Sequence, residues 1–373
     1  MKKTITLQSI LLTLFVLGLA TFTSCKKNES VATNTTEQGE LKGTITANRT
    51  LEAGIYKLTD ALIVETGVTL TIKPGVTIIA QSSTADKTKL YIAVKPGAKM
   101  DAQGTSANPI IMTASEKAPG GWGGLIICGN AATNAAATAG GTAQTEVAGL
   151  TYGGSNSSDN SGVYKYIVLE YTGSKINDER EFNGVTFYGV GSGTVVENLE
   201  SSWSNDDAYE WFGGSVNCSN LYAFNNDDDN FDWANGYTGK LTNLYSVNKN
   251  QNASNDSRGI EADNNSKDPA ATPVSNPTVE NVVLIGRGSG FAGTQKEGVL
   301  LRVGTKSTIT NLLVKGYKDG VSLGSNTPAA DNKVTNVKFD DVTNKTIGTG
   351  FTVTEGAGPS EALPTWATFV KNK

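Results

Sequence analysis

One segment of this 373-residue chain is written twice. Asp206-Asp207-Ala208-Tyr209-Glu210-Trp211-Phe212-Gly213-Gly214 returns as Asp228-Asp229-Asn230-Phe231-Asp232-Trp233-Ala234-Asn235-Gly236 after 22 residues. A period of that size marks a solenoid, in which each repeat buries its apolar face only against its neighbours. Within each copy apolar and polar residues alternate at the period of a strand, and helical spacing is nearly absent. A shorter signature recurs further on: Val196-Glu197-Asn198-Leu199, Cys218-Ser219-Asn220-Leu221, Leu241-Thr242-Asn243-Leu244, Val279-Glu280-Asn281-Val282, Ile309-Thr310-Asn311-Leu312 and Val334-Thr335-Asn336-Val337. Asparagine suits a turn because it tolerates the left-handed conformation, and asparagines stacked on successive rungs form hydrogen-bonded ladders. With 42 glycines for tight turns, the pattern predicts an all-β, single-stranded parallel β-helix of roughly 22-residue rungs.

The first 24 residues read as a secretory signal: Lys2 and Lys3, an apolar run from Ile10 to Ala20 too short to span a membrane, then small residues leading to Cys25. Phe22-Thr23-Ser24-Cys25 resembles a bacterial lipoprotein box, so Cys25 is the candidate lipidated residue. Residues 25–40 form a polar tether, and the β-helix domain is expected over 41–373. The resemblance implies an outer-membrane lipid anchor, with the cell-surface and periplasmic faces both open. Removing residues 1–24, which carry two lysines and no acid, leaves 29 basic against 36 acidic residues, a net charge of −7. Such a chain without a basic patch is not built for nucleic acid. It has no histidine, which removes histidine bases, Ser-His-Asp triads and the usual zinc sites. Cys128 and Cys218 are expected to be buried free thiols.

Near the start, Leu70-Thr71-Ile72-Lys73-Pro74-Gly75-Val76 is followed 22 residues on by Ile92-Ala93-Val94-Lys95-Pro96-Gly97-Ala98, which suggests two successive rungs. Residues 131–162, 264–277, 287–297 and 325–331 interrupt the period as loops fit to wall a groove. The tail Pro364-Thr365-Trp366-Ala367-Thr368-Phe369-Val370 is expected to cap the open end of the coil. Gly67 to Val76, then Ala102-Gln103-Gly104-Thr105, Asn108-Pro109-Ile110-Ile111 and Gly121-Trp122-Gly123-Gly124-Leu125-Ile126-Ile127 resemble right-handed β-helix lipoproteins of Bacteroidetes, related in fold to pectate lyases. That resemblance runs from about Leu41 to the C-terminus and implies a right-handed coil. It brings no assigned activity.

Between Glu181 and Gly239 stand ten acids, 12 of the 28 aromatic residues and no lysine or arginine, so charge and rings are concentrated together. Aligning the repeats sets Tyr209-Glu210-Trp211 over Phe231-Asp232-Trp233, Ile260-Glu261-Ala262, Val299-Leu300-Leu301 and Val321-Ser322-Leu323, preceded by Asp207, Asp229, Arg258, Glu297 and Asp319. The outer positions of each triplet are apolar and point inward, so Tyr209, Trp211, Phe231 and Trp233 are core rings. The central Glu210, Asp232 and Glu261 then stand outward on successive rungs, roughly 4.8 Å apart. Carboxylates at that spacing repel, and in a partly dry groove they take up protons or a cation. Asp206, Asp227, Asp228 and Asp232 are the candidate ligands, and hard oxygens in such number suit Ca²⁺. The plain alternative is a solvated acidic face whose aspartates close turns.

Three functions are open at this point. The first is a membrane-anchored module that binds a glycan or other ligand without turning it over, at Glu210 and Glu261 with Trp203, Tyr188, Tyr222 and Tyr237 as exposed stacking rings. The second is a polysaccharide lyase or glycoside hydrolase on the same face. Lyases of the related fold use Ca²⁺ to neutralise a uronate and an arginine or lysine as base, which points to Arg258 or Lys240. As a charge partner of Asp229 or Glu261, Arg258 has a plainer role. The third is a structural or adhesive lipoprotein, or an accessory of an outer-membrane transporter.

Overall fold

Each coil of the chain is made of three short strand segments separated by turns, and every segment lies parallel to its counterpart on the coils before and after it. The computed structural model describes residues 37–372 apart from 178–179, 250–256 and 294. The signal segment, Cys25 and most of the tether lie outside the described residues. The first strand, Glu37–Ile45, begins before Leu41, so the last tether residues already belong to the coil. Of the described residues, 22 strands join one sheet system, and no helix is long and apolar enough to cross a membrane. This is a right-handed parallel β-helix.

Two of the three faces share strands that bend in the middle: Val195–Ser202, Asn217–Phe224, Lys240–Val247, Thr278–Ile285, Ser307–Leu323 and Asn332–Ile347. The bend sits at Asn198, Asn220, Asn243, Asn281, Asn311 and Asn336, all with φ between 54° and 62°. Asparagine takes this left-handed conformation at lower cost than other residues bearing a Cβ. Each amide also donates to the one on the preceding coil: Asn220 to Asn198 at 3.0 Å, Asn243 to Asn220 at 2.8 Å, Asn281 to Asn243 at 3.1 Å, Asn311 to Asn281 at 2.7 Å and Asn336 to Asn311 at 2.9 Å. The expected ladder is therefore continuous along the C-terminal coils.

The third face carries Gly124–Cys128, Val185–Tyr188, Tyr209–Phe212, Phe231–Ala234, Ile260–Ala262 and Glu297–Leu301. Its register is the one the repeats predict: Glu210 pairs with Asp232 and Asp232 with Glu261. Tyr209, Trp211, Phe231 and Trp233 are fully buried. Phe187 stacks on Trp211 at 5.5 Å and Tyr209 on Phe231 at 5.7 Å, with planes within 8° of parallel. Two of them find polar partners inside the coil, with Tyr209 donating to the carbonyl of Tyr222 and Trp233 to the Thr305 hydroxyl. Cys128 and Cys218 are free and buried, and burial pushes both thiols up to about 12.

Two expectations are corrected. Leu70 pairs with Met100 and Ile92 with Leu62, so the early 22-residue copies lie on different faces. What repeats there is a corner: Val76 and Ala98 donate to the carbonyls of Lys73 and Lys95, closing turns through Gly75 and Gly97 at φ 79° and 77°. Glu65-Thr66-Gly67-Val68 makes the same turn, and it is this segment that lies one coil below Lys95-Pro96-Gly97-Ala98, with Gly67 donating to the Gly97 carbonyl.

The tail does not cap the open end. Ala367, Phe369 and Val370 pack on the outside of a bent sheet, against Val168, Tyr222, Phe224, Tyr245, Val283 and Leu313. The backbone amides of Lys371 and Asn372 donate to the Glu200 carboxylate at 2.6 and 3.1 Å, and Tyr245 donates to the Glu361 carbonyl at 2.7 Å. The physical reason lies in an outward column, Tyr222, Tyr245, Val283 and Leu313, that is apolar on successive coils and must be covered.

Candidate functional site

The outer surface of the third face changes character along the coil axis. Ala93 and Ile126 begin it, covered by Val147, Leu150, Tyr152 and Phe182. These come from the long loop after Cys128 and from the short segment preceding Val185, so the loop lies on the face and walls it. Thr186, Glu210, Asp232 and Glu261 continue the outward column in register.

A second set of carboxylates joins this column. Asp207 and Asp229 precede the strands, and the residue after each is Ala208 or Asn230, at a corner where Gly259 and Gly298 stand on later coils. A Cβ on Gly259 would lie 2.7 Å from Leu284, and one on Gly298 would lie 2.4 Å from Val314. The corner reverses strand parity and turns Asp207 to the same side as Glu210. Ligand oxygens of Asp206, Asp207 and Asp228 approach one another within 4.8 Å, as do those of Asp207, Glu210 and Asp232. Asp207 links the two groups. Sequence parity missed it, although the run of small residues at the next position is the signal that would have found it.

Backbone amides hold these acids in place. Asn183 Oδ1 accepts from the Asp207 amide at 3.2 Å, Asp207 Oδ1 from the Asp229 amide at 2.9 Å, and Asp229 Oδ1 from the Arg258 amide at 2.6 Å. Asn183 also donates to Glu210 Oε2 at 2.5 Å. Part of the acidic set thus closes turns, as the plain alternative expects. Asp232 Oδ1 is buried and accepts no hydrogen bond among the described residues.

Burial pushes the carboxyls of Asp206, Asp207, Glu210, Asp228's neighbour Asp229, and Asp232 well above the usual carboxylate range. Neighbouring carboxylates push the same way: Asp228 on Asp206, Asp206 on Asp207, Asp232 on Glu210, and Glu261 on both Asp229 and Asp232. Positive charge gathers at the far end. Arg258 is buried and reaches Glu297 at 3.0 Å, Glu261 at 3.4 Å and Asp229 at 3.7 Å. Arg302 reaches Asp263 at 2.7 Å and Glu261 at 3.1 Å. These ion pairs lie at the Glu261 end of the column, away from Asp206 and Glu210.

The other sequence candidates fall elsewhere. Asp227 belongs to neither carboxylate group and acts on Arg287. Lys240 lies on a bent strand, paired with Glu280 at 2.8 Å. The expectation of exposed rings is corrected for Tyr188, Tyr222 and Tyr237, which are 3%, 1% and 0% exposed. Tyr237 stacks on Trp211 inside the coil and donates to the Val216 carbonyl, and Tyr222 lies under the tail. Trp203 is half-buried on the tail-covered side, edge-on to Phe224. Only Tyr188 is on the acidic face, beneath the loop, where its hydroxyl meets Glu146 Oε2 at 3.3 Å. Glu146, Arg180, Tyr152 and Phe212 line a cavity there of about 450 Å³, and no repeat in the sequence singles out the loop residues among them.

The donor set has the chemistry of a hard-cation site: several carboxylate oxygens, closely spaced, one of them without a hydrogen bond. Asp206, Asp207, Asp228, Glu210 and Asp232 would hold Ca²⁺, which supplies positive charge that sugar hydroxyls or carboxylates can share. Among comparisons with known proteins, the family model described as a pectate-lyase like beta helix domain matches residues 43–369. No curated protein and no solved structure gives a match.

Proposed function

The chain belongs to the pectate-lyase-like β-helix domain family, and on that premise we propose that it is a lipid-anchored envelope protein that binds a glycan through Ca²⁺ without cleaving it. The family is consistent with a carbohydrate-related role. The observation that carries the reading is the pair of carboxylate groups sharing Asp207, with the orphaned Oδ1 of Asp232 between coils. A divalent cation there relieves repulsion and replaces the missing hydrogen bond. Cys25 supplies the anchor in the manner of Bacteroidetes lipoproteins. The lyase alternative loses support at Arg258, because a guanidinium held by three carboxylates does not give up its proton.

Calorimetry of the purified protein tests the metal. Ca²⁺ should raise the melting temperature, by the equivalent of about 2.7 kcal/mol at a hundredfold excess over Kd. Asp228→Asn with Asp232→Asn should abolish that rise. An unchanged rise in the double variant rejects the site. Incubation with neutral and acidic polysaccharides, following chain ends and unsaturated products, should show retention without cleavage; any Ca²⁺-dependent product makes the protein an enzyme.

A further inference from the structure

The outward column beside the acids is a stack of rings that stops short. Cys128, Tyr188, Phe212 and Ala234 occupy the same position on four successive coils. Tyr188 and Phe212 lie 4.6 Å apart with planes 4° from parallel, and Tyr152 adds a third ring 4.9 Å from Tyr188. Coil spacing of roughly 4.8 Å sets one ring directly over the next. On the following coil the ring is missing, because Ala234 is half-buried and carries only a methyl. The cavity of about 450 Å³ opens beside Phe212 and is lined also by Glu146, Arg180 and Asn235, the residue after Ala234. Its size falls within the roughly 300–1,000 Å³ of small-ligand sites.

We propose that the missing rung of this ladder is filled by ligand: a neutral pyranose ring stacked on Phe212 above Ala234, its hydroxyls meeting Glu146 and Asn235. The proposal rests on the glycan-binding reading and gives it a subsite and a sugar class. A pyranose offers a flat C–H face to an aromatic ring and a rim of groups that both donate and accept. The cavity presents the matching set: a ring face, a carboxyl that accepts from Tyr188, an amide and a guanidinium. Neutrality follows from charge. Glu146 lines the position, while the cation lining the cavity, Arg180, is exposed and donates to the Glu146 backbone carbonyl at 3.3 Å. A sugar carboxylate or phosphate placed there meets a carboxyl, and the guanidinium at the rim is already engaged by a backbone carbonyl, so the ligand's charge goes unanswered. Burial pushes the Glu146 carboxyl up to about 7, so near neutral pH it serves a hydroxyl as donor or as acceptor.

Two substitutions test this in opposite directions. Phe212→Ala removes the platform, and Ala234→Phe builds the missing ring into the protein. Titration calorimetry with Ca²⁺ present, using tetrasaccharides of glucose, galactose, mannose and xylose beside trigalacturonate, should show wild-type protein binding a neutral oligosaccharide. Phe212→Ala should weaken it about tenfold or more. Ala234→Phe should abolish it with the melting temperature unchanged or raised, which keeps the test valid even if Phe212→Ala folds poorly. If the wild type binds and Ala234→Phe binds equally well, the subsite is wrong while glycan binding stands. Tighter binding of trigalacturonate overturns the neutral class. No binding of any sugar by the wild type removes the glycan reading and the subsite together.

Discussion

Asn243 condenses the logic of the bent strands into one side chain. It holds φ at 60°, donates to Asn220 and accepts from Asn281. Asn243→Ala loses two hydrogen bonds and puts in the left-handed region a residue without asparagine's tolerance of it, a cost of about 2–4 kcal/mol. Asn243→Gly loses the bonds alone, so urea denaturation should find it about 1–2 kcal/mol more stable than the alanine variant. Equal stability of the two would show that the backbone conformation contributes nothing at this bend. Asparagine's role was legible because the residue type, its spacing and its conformational preference all agree. Asp207 was not legible, because its orientation depends on a corner that reverses parity, and a simple alternation carries straight through such a corner.

At the scale of elements, the face that bears the acids was readable from its repeats, since strands one coil apart keep the 22-residue register from Tyr209 to Ala234. The N-terminal copies misled for a physical reason: one turn type serves at more than one corner of a coil, so likeness in sequence there reports a corner and not a coil. The tail misled because its partner surface is assembled from residues far apart in the chain. Phe369 is the anchor of that element, buried against the outer column and edge-on to Tyr166 at 5.5 Å. Phe369→Ala should cost about 3–5 kcal/mol if the tail stays docked. Release of the tail instead uncovers Tyr222, Tyr245 and Val283 and should appear as dye binding with the strand circular-dichroism signal retained. Wild-type stability without dye binding would mean that the tail does not protect this face.

For the whole molecule, the acidic face makes stability depend on pH in a direction opposite to that of salt-bridged carboxylates. Carboxyls raised by folding hold protons that the unfolded chain has already lost, so the native state binds more protons in that window. Stability should therefore fall as pH rises, for Glu146 between 4.5 and about 7, and for the deeper acids until their own raised values are passed. Melting temperatures in chelator from pH 5 to 8 should decline, and Ca²⁺ should restore them at pH 8 while doing little at pH 5. A flat profile in chelator would mean that the carboxylates are not forced together. The tail has a mechanical consequence as well. Its last hydrogen bonds go to Glu170 and Glu200, 171 to 202 residues away along the chain. A pull on Asn372 is thus delivered to the middle of the stack, and the coils between Asn217 and Glu355 carry no load until those bonds shear. The tail is a tensile tie that spares the last coils from being peeled one by one.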